Sequence, residues 1–225
     1  MKYRLFSAVC SALLIWTVFA QQRPATPNPA MEPIEDAPGL PRVLLIGDSI
    51  SIGYTVPVRE LLRGKANVHR IPENGGNTKR GLEKLSGWLG NGKWDVIHFN
   101  WGLHDLRLDE GRHAVPLPEY EANLRALVKQ LKVTGAKLIW CSTTPVPEGD
   151  LNPPRRSADV IAYNEAAQKV MRENGIETDD LYAFVNPILG RLQLPANVHF
   201  KPEGSAELAK QVAASLEKAL HAETR

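Results

Sequence analysis

From Arg42 onward, short apolar runs alternate with stretches whose apolar residues recur at helical spacing, and this alternation most restricts the fold. Val43–Ile46, Asn67–Ile71, Asp95–Asn100 and Lys137–Cys141 read as strands. Their apolar character suits a parallel sheet covered on both faces. Between them, Leu82, Leu85 and Leu89 fall on one helical stripe, as do Tyr120, Leu124, Leu127, Val128 and Leu131 before a stop at Gly135. Further helices are expected from Pro57, from Ser157 towards Asn174, and from Pro202, where Leu208, Val212, Leu216 and Leu220 form a stripe. Strict alternation predicts a single α/β domain, residues 42–225, with a doubly wound parallel sheet. Ligands of such sheets bind beyond the carboxyl ends of the strands.

What precedes that domain is of a different kind. Lys2 and Arg4 lead into an apolar run from Leu5 to Phe19, and Val18-Phe19-Ala20 puts small residues at the −3 and −1 positions before Gln21. Residues 1–20 therefore read as a signal peptide cleaved after Ala20, in a secreted or periplasmic protein; the same flank would also suit a retained anchor. Residues 21–41 hold six prolines and few large apolar side chains, the composition of an extended linker. Cleavage removes Lys2 and Arg4 from a chain with 27 Lys plus Arg and 25 Asp plus Glu, leaving the two signs balanced. A balanced charge offers no basic footprint for nucleic acid and no polybasic membrane patch. Cleavage also removes Cys10 and leaves Cys141 without a disulfide partner, inside the apolar run Leu138-Ile139-Trp140, as a buried hydrophobe.

The strand ends carry polar residues in an ordered series. The first strand runs into Gly47-Asp48-Ser49-Ile50-Ser51, where a tight turn presents a serine hydroxyl and its amide together. The second ends in Glu73-Asn74-Gly75-Gly76-Asn77-Thr78, whose glycines let a backbone amide approach a ligand. The third ends in Asn100-Trp101-Gly102-Leu103-His104-Asp105, and Asn197-Val198-His199 precedes the last helix. Each block alone has a plain structural reading as a turn or a cap.

Taken together, Gly47-Asp48-Ser49, Gly76, Gly102-Leu103-His104-Asp105 and His199 resemble the four blocks of the SGNH (GDSL) hydrolase superfamily, over essentially the whole domain. The resemblance implies a flavodoxin-like three-layer α/β/α sandwich and hydrolysis of carboxylic esters without a cofactor. It implies Ser49 as nucleophile, His199 as base, and the amides of Ser49 and Gly76 as oxyanion donors. Two positions depart from the pattern. The third block has His104 where the family has an oxyanion-donating Asn; a neutral imidazole can still donate one N–H. Three residues before His199, where the family has the Asp that orients the histidine, stands Ala196. Asn197, a backbone carbonyl, or Asp105 or Asp48 reaching through space are the candidates for that role, and sequence does not choose among them.

Trp101 borders this constellation and is expected to be able to stack on a sugar, whereas Trp88, Trp140 and the strand residue His98 read as core. Arg155-Arg156 reads as a solvated helix start on a loop able to reach an anionic substrate. His98, His104 and His113 with Asp105 and Asp109 lack the compact spacing of metal ligands, so no metal is expected. The expected function is an exported serine esterase acting through an acyl-enzyme on a small-molecule or glycan ester, with a carbohydrate O-acetyl ester favoured. A lipid or thioester acylhydrolase, and a non-catalytic glycan-binding domain on the same fold, are the alternatives.

Overall fold

The computed structural model of the protein describes residues 28–221. The expected signal peptide, its cleavage site and residues 21–27 of the linker lie outside them. No helix among the described residues is long and apolar enough to cross a membrane.

Five parallel strands form the central sheet: β1 (Arg42–Ile46), β2 (Asn67–Arg70), β3 (Val96–Phe99), β6 (Lys137–Cys141) and β7 (Glu177–Asp179), in the order β2-β1-β3-β6-β7. Two short strands, β4 (Leu108–Asp109) and β5 (Arg112–His113), form a separate hairpin in the excursion after β3. Residues 43–46 of β1 and all of β3 are buried, because β1 and β3 are flanked by strands on both sides and covered by helices on both faces. α1 (Ser49–Leu61) packs against α7 (Pro202–His221), and α2 (Thr78–Leu89), α3 (Leu117–Val133) and α4 (Ser157–Glu173) form the opposite layer. This is the expected α/β/α sandwich. Short α5 (Leu181–Val185) and α6 (Leu189–Leu192) join the edge strand to α7.

The apolar stripes bury as expected: Tyr120, Leu124, Leu127 and Leu131 of α3, and Leu208, Val212 and Leu216 of α7, are fully enclosed. Strand β7 has no counterpart among the strands expected from sequence. Its sequence Glu-Thr-Asp has no apolar run, and it is an edge strand with two of three residues exposed. Helix α1 starts at Ser49, well before the expected Pro57, which lies inside it. The Asp48 side chain caps the first turn by accepting from the Ile50 amide at 2.9 Å, so the small polar residues that looked like a turn are helical.

The linker also departs from expectation over residues 28–41. Arg59 of α1 donates to the carbonyls of Pro29 (2.8 Å) and Glu32 (3.2 Å). Asn67 exchanges hydrogen bonds with Ala37, and Asp36 pairs with His69 at 2.6 Å. Prolines exclude helix and sheet from this stretch, yet leave its carbonyls free as acceptors for side chains of the domain. Removing residues 28–37 should therefore lower the melting temperature by about 3–8 °C relative to the chain starting at residue 28, equivalent to roughly 1–3 kcal/mol. Calorimetry of the two chains checks this, and an unchanged midpoint would restore the free-tether reading.

Candidate active site

The sheet order reverses direction between β1 and β3, and the loops leaving their carboxyl ends open a crevice there. Ser49 is the first residue of α1, immediately beyond β1. Its amide has no hydrogen-bond partner among the described residues, as expected of a first-turn N–H. The loop behind it is held by Arg70, from the end of β2. One terminal nitrogen of Arg70 donates to the carbonyls of Gly47 (2.8 Å) and Asp48 (3.1 Å) and to Ser51 Oγ (3.0 Å). The other donates to the carbonyls of Ile71 and Glu73, both at 2.8 Å. Burial lowers this guanidinium to about 10, which leaves it cationic at neutral pH. Gly75 completes the join: its amide donates to the Gly47 carbonyl at 2.9 Å, and a Cβ at Gly75 would stand 2.9 Å from that same oxygen.

His199 arrives from the other end of the chain, on a narrow loop between α6 and α7. Leu194 donates to the His199 carbonyl at 2.9 Å, and buried Gln193 donates across the loop to Val198 (3.2 Å) and out to Pro145 (2.9 Å). His199 Nε2 lies 2.8 Å from Ser49 Oγ. On its other side, Nδ1 lies 2.7 Å from Asn197 Oδ1, which also accepts the His199 amide at 2.9 Å. That second bond fixes the Asn197 amide, since a flipped NH2 would face another N–H. Nδ1 is then the donor, and in the neutral ring Nε2 accepts from the Ser49 hydroxyl. Asn197 thus occupies the place left open at Ala196, which itself sits at φ 49° on the exposed turn.

Asp105 is not brought to His199. It is fully enclosed, and its Oδ1 accepts from the Thr78 amide (2.9 Å) and hydroxyl (2.5 Å), tying the start of α2 to the loop after β3. Burial pushes its carboxyl up to about 7, against the lowering effect of the two Thr78 bonds. Asp48 is committed to the α1 cap. Trp101, expected beside the site, is 1% exposed and packs under α2, where a Cβ at Gly81 would meet its ring at 2.8 Å. It belongs to the core, with Trp88, Trp140 and Cys141. His98 is fully buried and bonded to Asp179 at 3.0 Å.

A cleft of about 350 Å³ opens at Ser49, lined also by Asn74, Leu103, His104, Arg155 and His199. The His104 ring makes no hydrogen bond to a described residue, and burial lowers its pKa, so it is neutral at pH 7 with one N–H to donate. Gly76 does not line the cleft, and its amide donates to Asn74 Oδ1 at 2.9 Å. Asn74 is the lining residue from that loop, which its place in an Asn-Gly-Gly turn concealed. Arg155, read as solvated, is 9% exposed and bonds the carbonyls of Leu103 (2.8 Å) and Pro153 (3.1 Å). Two prolines before it made it look like a helix start, but only the folded loop turns it inward.

A parallel sheet of this order, with these blocks gathered at its carboxyl edge, is the architecture of the SGNH hydrolases. The chain belongs to the GDSL-like lipase/acylhydrolase family, whose pattern matches residues 45–207. No curated protein sequence matches it. Among solved structures it is similar to a lipase/acylhydrolase from Enterococcus faecalis (20% identity, TM-score 0.69, 80% of this chain and 96% of that one). It is also similar to the acetyl xylan esterase AlAXEase (16%, 0.68, 77% and 98%) and to an acetylxylan esterase from Geobacillus stearothermophilus (20%, 0.63, 76% and 92%).

The enclosed carboxyl makes stability pH-dependent with a definite sign. Folded Asp105 keeps its proton to about pH 7, whereas in the unfolded chain it loses it near 3.8. Between those values the unfolded state binds fewer protons, so this group's contribution falls as pH rises. Asp105→Asn should therefore gain stability relative to wild type from pH 4 to pH 7, by roughly 4 kcal/mol at most, and level off above. Melting curves of both proteins across that range check it; a constant difference would mean that Asp105 is ionised in the fold.

Proposed function

We propose that the protein is an exported serine esterase that cleaves carboxylic esters through an acyl-enzyme. The observation that carries this reading is the 2.8 Å contact between Ser49 Oγ and His199 Nε2 at the floor of an open cleft, with Asn197 Oδ1 behind the ring. Ser49 Oγ attacks the ester carbonyl while its proton passes to His199 Nε2. The tetrahedral oxyanion is held by the Ser49 amide and the His104 N–H, with the positive end of α1 behind them. His199 then protonates the departing alcohol, and a water activated by the same imidazole frees the acid from Ser49.

Asn197 does part of what an aspartate would do. It fixes the tautomer and the ring plane, but as a neutral amide it gives the imidazolium formed during attack only a dipole. The compact cleft supports a short acyl group, and the acetyl xylan esterases among the structural neighbours support an O-acetylated carbohydrate as the substrate. Export rests on the leader at residues 1–20.

Ser49→Ala and His199→Ala should each abolish turnover of aryl acetates, and the double variant should be little worse, since members of one catalytic unit are not additive. Wild-type turnover by pure Ser49→Ala would end this reading. Asn197→Asp is the sharper probe. A carboxylate beside Nδ1 favours the protonated ring, so the acidic limb of the profile of kcat/KM against pH, where the ring must be neutral, should move to higher pH. Asn197→Ala should instead lower kcat by on the order of 10²-fold or more through loss of ring orientation. If Asn197→Ala matched wild type in both rate and profile, Asn197 would have no part in orienting His199.

A further inference from the structure

The cleft at Ser49 contains a cation without a counter-ion. Arg155 is nine-tenths buried, lines the cleft, and has no carboxylate within ion-pair distance among the described residues. Its hydrogen bonds, from Nε to Leu103 and from Nη1 to Pro153, go to backbone carbonyls, and Nη2 makes none. Loop anchoring therefore uses two of its five N–H groups. Arg107 lies on the same wall, paired through Nε and Nη2 with Asp109 and keeping Nη1 free.

The other charged and titratable groups facing Arg155 do not neutralise the wall. Asp48 acts on Arg155 through space, but its carboxylate caps α1 and makes no ion-pair contact with the guanidinium. Asp109 is balanced by Arg107, and His104 is neutral at pH 7. The unpaired Nη2 is not enclosed but opens to the cleft, and a fork with free N–H groups matches a carboxylate.

We infer that the Ser49 cleft selects esters bearing an anionic group, a carboxylate on either the acyl or the alcohol part of the substrate, which Arg155 receives with Arg107 beside it. This rests on the esterase reading of the cleft and narrows its substrate class to acidic esters, such as an acylated acidic sugar.

Two substrate pairs, each an acid and its isosteric amide, locate the charge. For the alcohol side the pair is 4-acetoxybenzoate and 4-acetoxybenzamide; for the acyl side it is mono-4-nitrophenyl adipate and its adipamide analogue. The readout is the ratio of kcat/KM, acid over amide, so a general loss of activity cancels. Wild type should give a ratio of about ten or more in one pair, the size of one charge-assisted hydrogen bond. That ratio should fall with added salt and collapse to near one in Arg155→Met. Arg155→Gln, which keeps a donor for the Leu103 carbonyl, should collapse it too and serves if Arg155→Met does not fold. A wild-type ratio near one in both pairs, or a ratio that survives loss of Arg155, overturns the proposal while leaving the esterase reading intact. If none of the four esters is turned over, the esterase reading fails, and the melting temperature with added 4-hydroxybenzoate or adipate decides the anion site. Stabilisation of wild type that is lost in Arg155→Met supports it; no stabilisation by either anion overturns it.

Discussion

One buried arginine holds the crevice together. Arg70 leaves the end of β2 and places its guanidinium among the carbonyls of Gly47, Asp48, Ile71 and Glu73, with Ser51 Oγ as a fifth acceptor. Those carbonyls belong to the loops after β1 and β2, which the sheet leaves without ladder partners and which burial leaves without water. A neutral side chain of the same size would satisfy few of them. The arginine satisfies all four, and the acceptors together offset the cost of keeping a charge 9% exposed. Its Nη1 also reaches Met31 Sδ, so the segment before the sheet closes over the same group.

With those loops fixed, the reversal of strand order does the rest. The chain steps from β1 outward to β2 and returns across β1 to β3, so the connections on either side of the crevice run in opposite directions. Ser49 stands at one lip, at the start of a capped helix, and His104 comes from the loop after β3 at the other. The close approach of Gly75 to Gly47 shows how little space separates the first two loops.

In the proposed chemistry the role of the carboxylate that the family carries three residues before the histidine divides in two. Orientation of the histidine needs only an acceptor at the right place, and Asn197 Oδ1 supplies it at 2.7 Å. Charge compensation needs an anion, and the nearby acids are committed elsewhere, Asp48 to the α1 cap and Asp105 to Thr78. The surroundings lean cationic instead, with Arg155 and Arg107 on the cleft wall.

The sequence by itself determined the fold class, the long helices and four of the five sheet strands, because burial on both faces writes continuous apolar runs and helical stripes that neighbours cannot alter. It also carried the blocks containing Ser49, His104 and His199, since turns and caps at strand ends demand small and polar residues locally. The edge strand β7 was illegible, because a half-exposed strand of three residues is defined by its ladder with β6 and not by its own composition. The start of α1 was hidden by a cap that works through one side chain. Tertiary structure alone decided which neighbour bonds the His199 ring, that Trp101 faces the core, that Asp105 serves Thr78, and that Arg155 turns inward. Each depends on where a side chain from a distant segment comes to rest, and a distance of that kind is set by packing across the sheet, not by spacing along the chain.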